Sequence, residues 1–159
     1  MKKVLIIGCP GSGKSYFSRE LAEVTGLPLY HIDKIRWRPD WTLMPREEFL
    51  PILKDVMERD EWIIDGNYLS SMEFRLSYAD TVFCFDLPTD ECLANIEARR
   101  GKARSDMPDG MTDRDDPEFI EFIKNYNRDT KPRVDELLRN FKGKIYIIKS
   151  RDDKKYFLN

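Results

Sequence analysis

A three-layer α/β/α sandwich around a five-stranded parallel sheet is the fold predicted by this sequence, and three observations carry it. Apolar runs alternate with segments of helical spacing along the whole chain, the pattern of a parallel sheet covered on both faces. The run Val4-Leu5-Ile6-Ile7 leads directly into Gly8-Cys9-Pro10-Gly11-Ser12-Gly13-Lys14-Ser15, a complete GxxxxGKS phosphate loop. Three strands end on aspartate, at Asp33, Asp65 and Asp86, where ligands gather in an open parallel sheet. The class is therefore α/β, a P-loop NTPase fold.

Strands are expected at about 3–8, 28–32, 61–65, 81–86 and 144–149. The first helix runs from Ser15 to Val24, stopped by Gly26 and Pro28. Pro45 opens a second helix, in which Phe49, Leu53, Val56 and Met57 share one face and Pro51 introduces a kink. The strand Trp62-Ile63-Ile64-Asp65 ends at Gly66. Thr81 to Asp86 forms the next strand, followed by a helix capped by Thr89 that carries Arg99 and Arg100. Residues 101–117 lose apolar periodicity, and a loop of that length inside a compact domain is usually functional. Phe119, Phe122, Ile123 and Tyr126 restart a helix that Pro132 breaks, and Val134, Leu137, Leu138 and Phe141 make another apolar face. After the last strand, Ser150 to Asp153 has the spacing of a capping box.

The 159 residues make one domain, with an acceptor-binding segment at about 33–60 and a lid at about 101–117. Lys plus Arg number 27 against 29 Asp plus Glu, a net charge of -2 that argues against nucleic acid as a partner. No apolar run approaches the roughly 18 residues that read as a membrane span, and a cytoplasmic location is expected. Cys9, Cys84 and Cys92 lack metal or disulfide spacing. Cys84 and Cys92 are expected to be buried, and Cys9 accessible. A monomer or homodimer is expected.

The phosphate loop implies a nucleoside triphosphate and magnesium, with ATP preferred over GTP because the sequence has no Asn/Thr-Lys-x-Asp guanine reader. Its backbone N–H groups wrap the phosphates, Lys14 neutralises their oxygens and the Ser15 hydroxyl ligates Mg2+. Candidate nucleotide-binding residues are Gly8 through Ser15, with Tyr16 and Arg100. Asp65 and Asp86 join Ser15 as candidates for the metal and its water shell. Asp33 is the candidate for holding or deprotonating an acceptor hydroxyl. Arg99, Arg100 and Arg104, entering the lid, would meet the migrating phosphoryl group. Arg36, Trp37, Asn67, Tyr68, Arg75 and Arg128 are candidates for the acceptor pocket, with Arg75 for an anion. His31 is expected to be a strand residue near the site and not a general base.

The phosphate loop, His31-Ile32-Asp33 followed by Trp37 and Trp41, Trp62 to Tyr68, Arg75 before Ala79-Asp80-Thr81, Phe85-Asp86-Leu87-Pro88 and Arg104-Ser105-Asp106-Met107 together resemble one family. It is the FlaR-like or DNA topology modulation proteins, adenylate-kinase-related P-loop kinases. The resemblance covers nearly the whole chain and implies an ATP-dependent phosphotransferase of nucleoside-monophosphate-kinase-like fold with a short lid, in which the Ser150-Arg151 turn flanks the adenine as a further nucleotide-binding element. Where adenylate kinases continue with a Phe-Pro-Arg motif, this chain has Asn67-Tyr68-Leu69. AMP is then an acceptor only if Arg36 or Arg75 takes its phosphate. The chain has Gly66 alone where shikimate-kinase-like proteins carry a Gly-rich loop, so that acceptor is not implied either. The expected function is transfer of the γ-phosphoryl of Mg-ATP to a small acceptor, such as a nucleotide or nucleoside. The alternative is an ATP-binding regulatory NTPase acting on DNA topology or a protein partner.

Overall fold

The computed structural model describes residues 1–102, 104–108 and 116–159. Five strands, β1 (Lys3–Gly8), β2 (Leu29–His31), β3 (Trp62–Asp65), β4 (Thr81–Phe85) and β5 (Lys144–Ile148), form one sheet in the order β2-β3-β1-β4-β5. All four pairings are parallel, with Leu5 of β1 facing Ile64 on one side and Val82 on the other. The helices are α1 (Lys14–Thr25), α2 (Ile32–Arg36), α3 (Arg46–Met57), α4 (Leu69–Leu76), α5 (Thr89–Arg99), α6 (Pro117–Lys124), α7 (Tyr126–Asp129), α8 (Lys131–Arg139) and α9 (Arg151–Leu158).

Strand side chains alternate between two cores. Val4, Ile6, Ile63, Phe83 and Phe85 pack with Phe17 of α1, Cys92 and Ile96 of α5, Ile123 of α6 and Phe157 of α9. Leu5, Ile7, Trp62, Ile64, Val82 and Cys84 pack with Phe49 and Leu53 of α3, Met72 of α4 and Val134 and Leu138 of α8. Both faces of the three inner strands are therefore apolar, and these strands read as near-continuous hydrophobic runs. The two edge strands differ: β2 is three residues long, while Ile145 and Ile147 of β5 are exposed.

Local chemistry shifts several expected boundaries. β2 stops at His31 because Ile32 to Arg36 folds into α2, so Asp33 lies on a helical turn. α3 continues through Pro51, which removes one N–H. Pro51 and Glu47, whose carbonyl loses its partner, are both exposed and water can take up the loss. Thr89 does not cap α5: it is the first helical residue, after Pro88, and its Oγ1 accepts a bond from Asn127 Nδ2 at 3.2 Å. Cys9 is buried, with Cys84 and Cys92. Ser150 does cap α9, accepting from the Asp153 N–H at 3.2 Å, but Asp153 returns the bond to the Lys149 N–H instead of Ser150's.

Phe83 sits under Phe17, Tyr146 and Phe157, with ring centroids 5.1, 5.2 and 5.3 Å away. Phe83→Ala should cost about 3–5 kcal/mol, seen in urea unfolding as a lower midpoint at unchanged slope.

Candidate active site

β1 lies at the centre of the sheet, and the chain crosses over it between β3 and β4. The loop leaving β1 therefore opens at the point where the strand order reverses direction. Asn67 fixes the loop's first residue: its Oδ1 accepts from the Gly8 N–H at 2.9 Å and its Nδ2 donates to the Gly8 carbonyl at 2.5 Å. A Cβ on Gly11 would meet the Cys92 carbonyl oxygen at 2.3 Å, and φ there is +82°, so glycine is required. Lys14 Nζ donates to the Gly8 and Cys9 carbonyls at 2.8 and 3.1 Å, folded back along the loop. Burial pulls its pKa down, against the opposing pull of Cys9, Asp33 and Asp65.

Beside the loop is a cavity of about 1250 Å3. The phosphate loop contributes Pro10, Gly11, Gly13, Lys14 and Ser15 to its wall, followed by Tyr16. Asp33, Trp37, Trp41, Asn67 and Tyr68 form the side expected for the acceptor, and Arg99, Arg104 and Arg151 also reach the wall. Gly8, Cys9 and Ser12 lie behind that surface; Ser12 Oγ is buried with no hydrogen-bond partner among the described residues, a group that a bound phosphate could satisfy.

The carboxylates are held differently. Asp65 is buried, accepting from Ser18 Oγ at 2.6 Å and meeting His31 Nδ1 at 2.8 and 2.9 Å. Asp33 accepts from the Tyr68 hydroxyl; burial raises its pKa, while Tyr68, Arg104 and Lys14 oppose the rise. Tyr68 is N-terminal to α4 with φ 35°, an unusual backbone for a non-glycine residue, and burial raises its own pKa. Asp86 is absent from the cavity wall; its N–H bonds the Ile148 carbonyl at 2.8 Å. Asp106, which the sequence reading left outside the site, accepts from Ser15 Oγ at 2.7 Å and from Arg104 Nη2 at 2.8 Å. Burial pushes its carboxyl up, but the Arg104 guanidinium and the Ser15 hydroxyl outweigh that and hold it well below the ordinary range.

Four candidate arginines face elsewhere. Arg75 is fully buried and donates to the Gly66, Asn67 and Tyr68 carbonyls and to Ser71 Oγ. Burial lowers its pKa to about 9, and its work is to hold the turn that presents Asn67 and Tyr68. Arg36 lies over the Phe49 and Tyr68 rings at 4.9 and 5.0 Å. Arg100 pairs with Glu97 at 3.1 Å and Arg128 with Asp129 at 2.8 Å, and neither is on the cavity wall. Ser150 serves as the cap of α9. Lys154 of α9, unforeseen from sequence, reaches the wall, and a Cβ on Gly13 would come within 3.0 Å of its Nζ. Its only sequence signal was its place one helical turn beyond the Ser150 cap. Of the expected lid, Ala103 and residues 109–115 lie outside the described residues.

Magnesium fits this donor set. With nucleotide phosphates and water present it takes one or two protein oxygens, and the Ser15 hydroxyl and the Asp106 carboxylate lie together on the cavity wall. No helix among these residues is long and apolar enough to cross a membrane.

Asn67→Ala would leave the N–H of buried Gly8 without its partner, at about 1–3 kcal/mol, while the Gly8 carbonyl keeps Lys14 Nζ. It should lower unfolding stability and weaken ATP binding. Asn67→Asp, which sets a carboxylate against the Gly8 carbonyl, should lose at least as much in both measurements.

No protein-family model matches the chain, and a search of curated proteins gives no match either. Solved structures do match. Shikimate kinase from Bacteroides thetaiotaomicron superimposes with a TM-score of 0.57 at 15% identity, over 98% of this chain and 92% of that one. Shikimate kinase from Acinetobacter baumannii, in complex with shikimate, gives 0.61 at 15% identity over 99% and 91%. The chain has the P-loop NTPase fold of these kinases, from its phosphate loop to its five-stranded parallel sheet.

Proposed function

We propose that this chain is a magnesium-dependent kinase that transfers the γ-phosphoryl group of ATP to a small acceptor through a hydroxyl, with a nucleoside or nucleotide as the leading class. One observation carries the reading: Lys14 of the phosphate loop and Asp33 in the first turn of α2 line the same cavity, with Trp37 and Trp41 beside them. The fold shared with two shikimate kinases and the resemblance to adenylate-kinase-related proteins support a kinase. Neither names the acceptor. Arg36 and Arg75 are committed to aromatic rings and backbone carbonyls, which favours a hydroxyl acceptor over one gripped by its phosphate.

Phosphoryl transfer asks the protein mainly for position and positive charge. The acceptor oxygen attacks the γ-phosphorus, the bond to the β–γ bridging oxygen breaks, and the hydroxyl proton passes to the Asp33 carboxylate. ADP leaves with the electron pair. Lys14, swung off the Gly8 and Cys9 carbonyls, meets the phosphate oxygens, with Arg99 and Arg104 on the same wall. Ser15 would hold magnesium, which would offset the charge of the phosphates. Trp37 and Trp41, 5.5 Å apart with planes at 67°, form an edge-to-face apolar wall for a flat acceptor. The hairpin turn between Trp37 and Leu43 presents both rings. This is chemistry for the cytoplasm, where ATP and magnesium are available.

Acceptor-dependent ADP release, measured over nucleosides, nucleoside monophosphates and small hydroxy-metabolites, tests the reading. A phosphorylated product should appear, and Lys14→Ala should reduce turnover on the order of 10²-fold or more. Uniformly slow hydrolysis with every acceptor would count against a kinase.

Asp33→Asn should lower kcat by about 10²-fold with little change in ATP affinity. Only the ionised carboxylate accepts the proton, so kcat/KM should rise with pH through the Asp33 pKa. Because burial raises that pKa, the acid limb should lie above the ordinary carboxylate range and vanish in the variant.

A further inference from the structure

The metal partner of Ser15 is the open question in the proposed site. Asp65 spends both oxygens on His31 and one of them also on Ser18. Asp86 is off the cavity wall, and Asp33 is engaged with Tyr68. Asp106 alone among these carboxylates touches Ser15, at 2.7 Å from Oδ2 to Oγ. Two adjacent oxygens on an octahedral magnesium, each about 2.0–2.1 Å from the ion, stand about 2.9 Å apart. The pair is already close to that separation before any ion is present.

The surrounding bonds keep it there. Arg19, one turn along α1 from Ser15, donates through Nη1 to Ser105 Oγ at 2.6 Å. Met107, on the other side of Asp106, is buried at 2% exposure. Arg104 Nε and Nη2 meet the two Asp106 oxygens at 3.1 and 2.8 Å. The carboxylate thus already has a cation beside it, and its Oδ2 faces the hydroxyl that phosphate-loop proteins use for the metal. A divalent ion arriving with the nucleotide would find a charged oxygen and a neutral one in adjacent positions.

We propose that Asp106 is a magnesium ligand of the nucleotide-bound protein, sharing the ion with Ser15. The inference rests on the nucleotide-binding reading above but not on any acceptor or on turnover.

Manganese, as a paramagnetic substitute, tests this through the loss of its free-ion resonance on titration into the ADP-bound protein. Asp106→Asn should weaken Mn2+ binding by roughly tenfold or more, while ADP affinity in EDTA stays within about twofold of the wild type. Equal or tighter Mn2+ binding by the variant would overturn the proposal and assign Asp106 to a latch that competes with the metal. Equal losses of Mn2+ and of metal-free ADP would also overturn it, in favour of a structural role. Failure of the wild type to bind ADP at all is a separate result that removes the nucleotide reading with it.

A second measurement needs no variant. Wild-type protein carrying 13C-carboxyl aspartate should show a 13C hyperfine coupling to bound Mn2+ that marks a directly ligating carboxylate. Absence of that coupling overturns the proposal even if Asp106→Asn does not fold.

Discussion

The reciprocal pair of hydrogen bonds between the Asn67 side chain and the Gly8 main chain holds the site together. The β1–β3 ladder proper ends with Ile6 opposite Asp65, and the Gly66 N–H still reaches the Ile6 carbonyl at 3.1 Å. Beyond it the backbone of residues 66–68 turns away to start α4. A side-chain amide offers one donor and one acceptor, as a peptide group does, so Asn67 continues the ladder for one more residue after its own main chain has left. The phosphate loop then starts from a fixed point in the sheet instead of from a frayed strand end. Arg75 makes the turn possible by collecting the carbonyls that it exposes.

Charge burial follows from that construction. Lys14, Asp33, Asp65 and Asp106 are gathered in or beside one cavity, and each is held by groups that supply hydrogen bonds before any ligand arrives. Lys14 rests on carbonyls, Asp65 on His31 and Ser18, Asp33 on Tyr68, and Asp106 on Ser15 and Arg104. Unpaired, each would bear the full desolvation penalty of a charge removed from water. Paired, they form an arrangement that a polyphosphate can take over bond by bond. Arg75 belongs to another class: its bonds are to three backbone carbonyls and the Ser71 hydroxyl, and exchanging them would open the turn.

Much of this was legible from sequence because the signals were local or periodic. The phosphate loop declares itself by glycines at fixed offsets, and β1, β3 and β4 by runs apolar on both faces. The alternation of strand and helix predicted the parallel sheet. What escaped was decided by distant partners. Arg75 and an exposed arginine look alike in sequence, and only burial against residues 66–68 separates them. Asp86 looks like Asp65 in sequence, but it falls one residue beyond β4 and off the cavity wall, its N–H bonded to the Ile148 carbonyl. Asp106 sits in a stretch without periodicity, and its partner Ser15 is 91 positions away. The Thr89 cap failed for a local reason: Pro88 already occupies the position before the helix, leaving Thr89 inside it.

The two rims of the sheet have a further consequence, for association. Parallel sheets end in unpaired peptide groups that can template another chain. β2 limits this hazard by brevity, ending after three residues in α2. β5 is longer and presents Ile145 and Ile147 outward, which alone would make an adhesive margin. It is bracketed by exposed Lys144 and Lys149, whose charges must lose water before a second strand can dock. Two lysines remote from the cavity beside the phosphate loop therefore act as gatekeepers of this edge of the sheet.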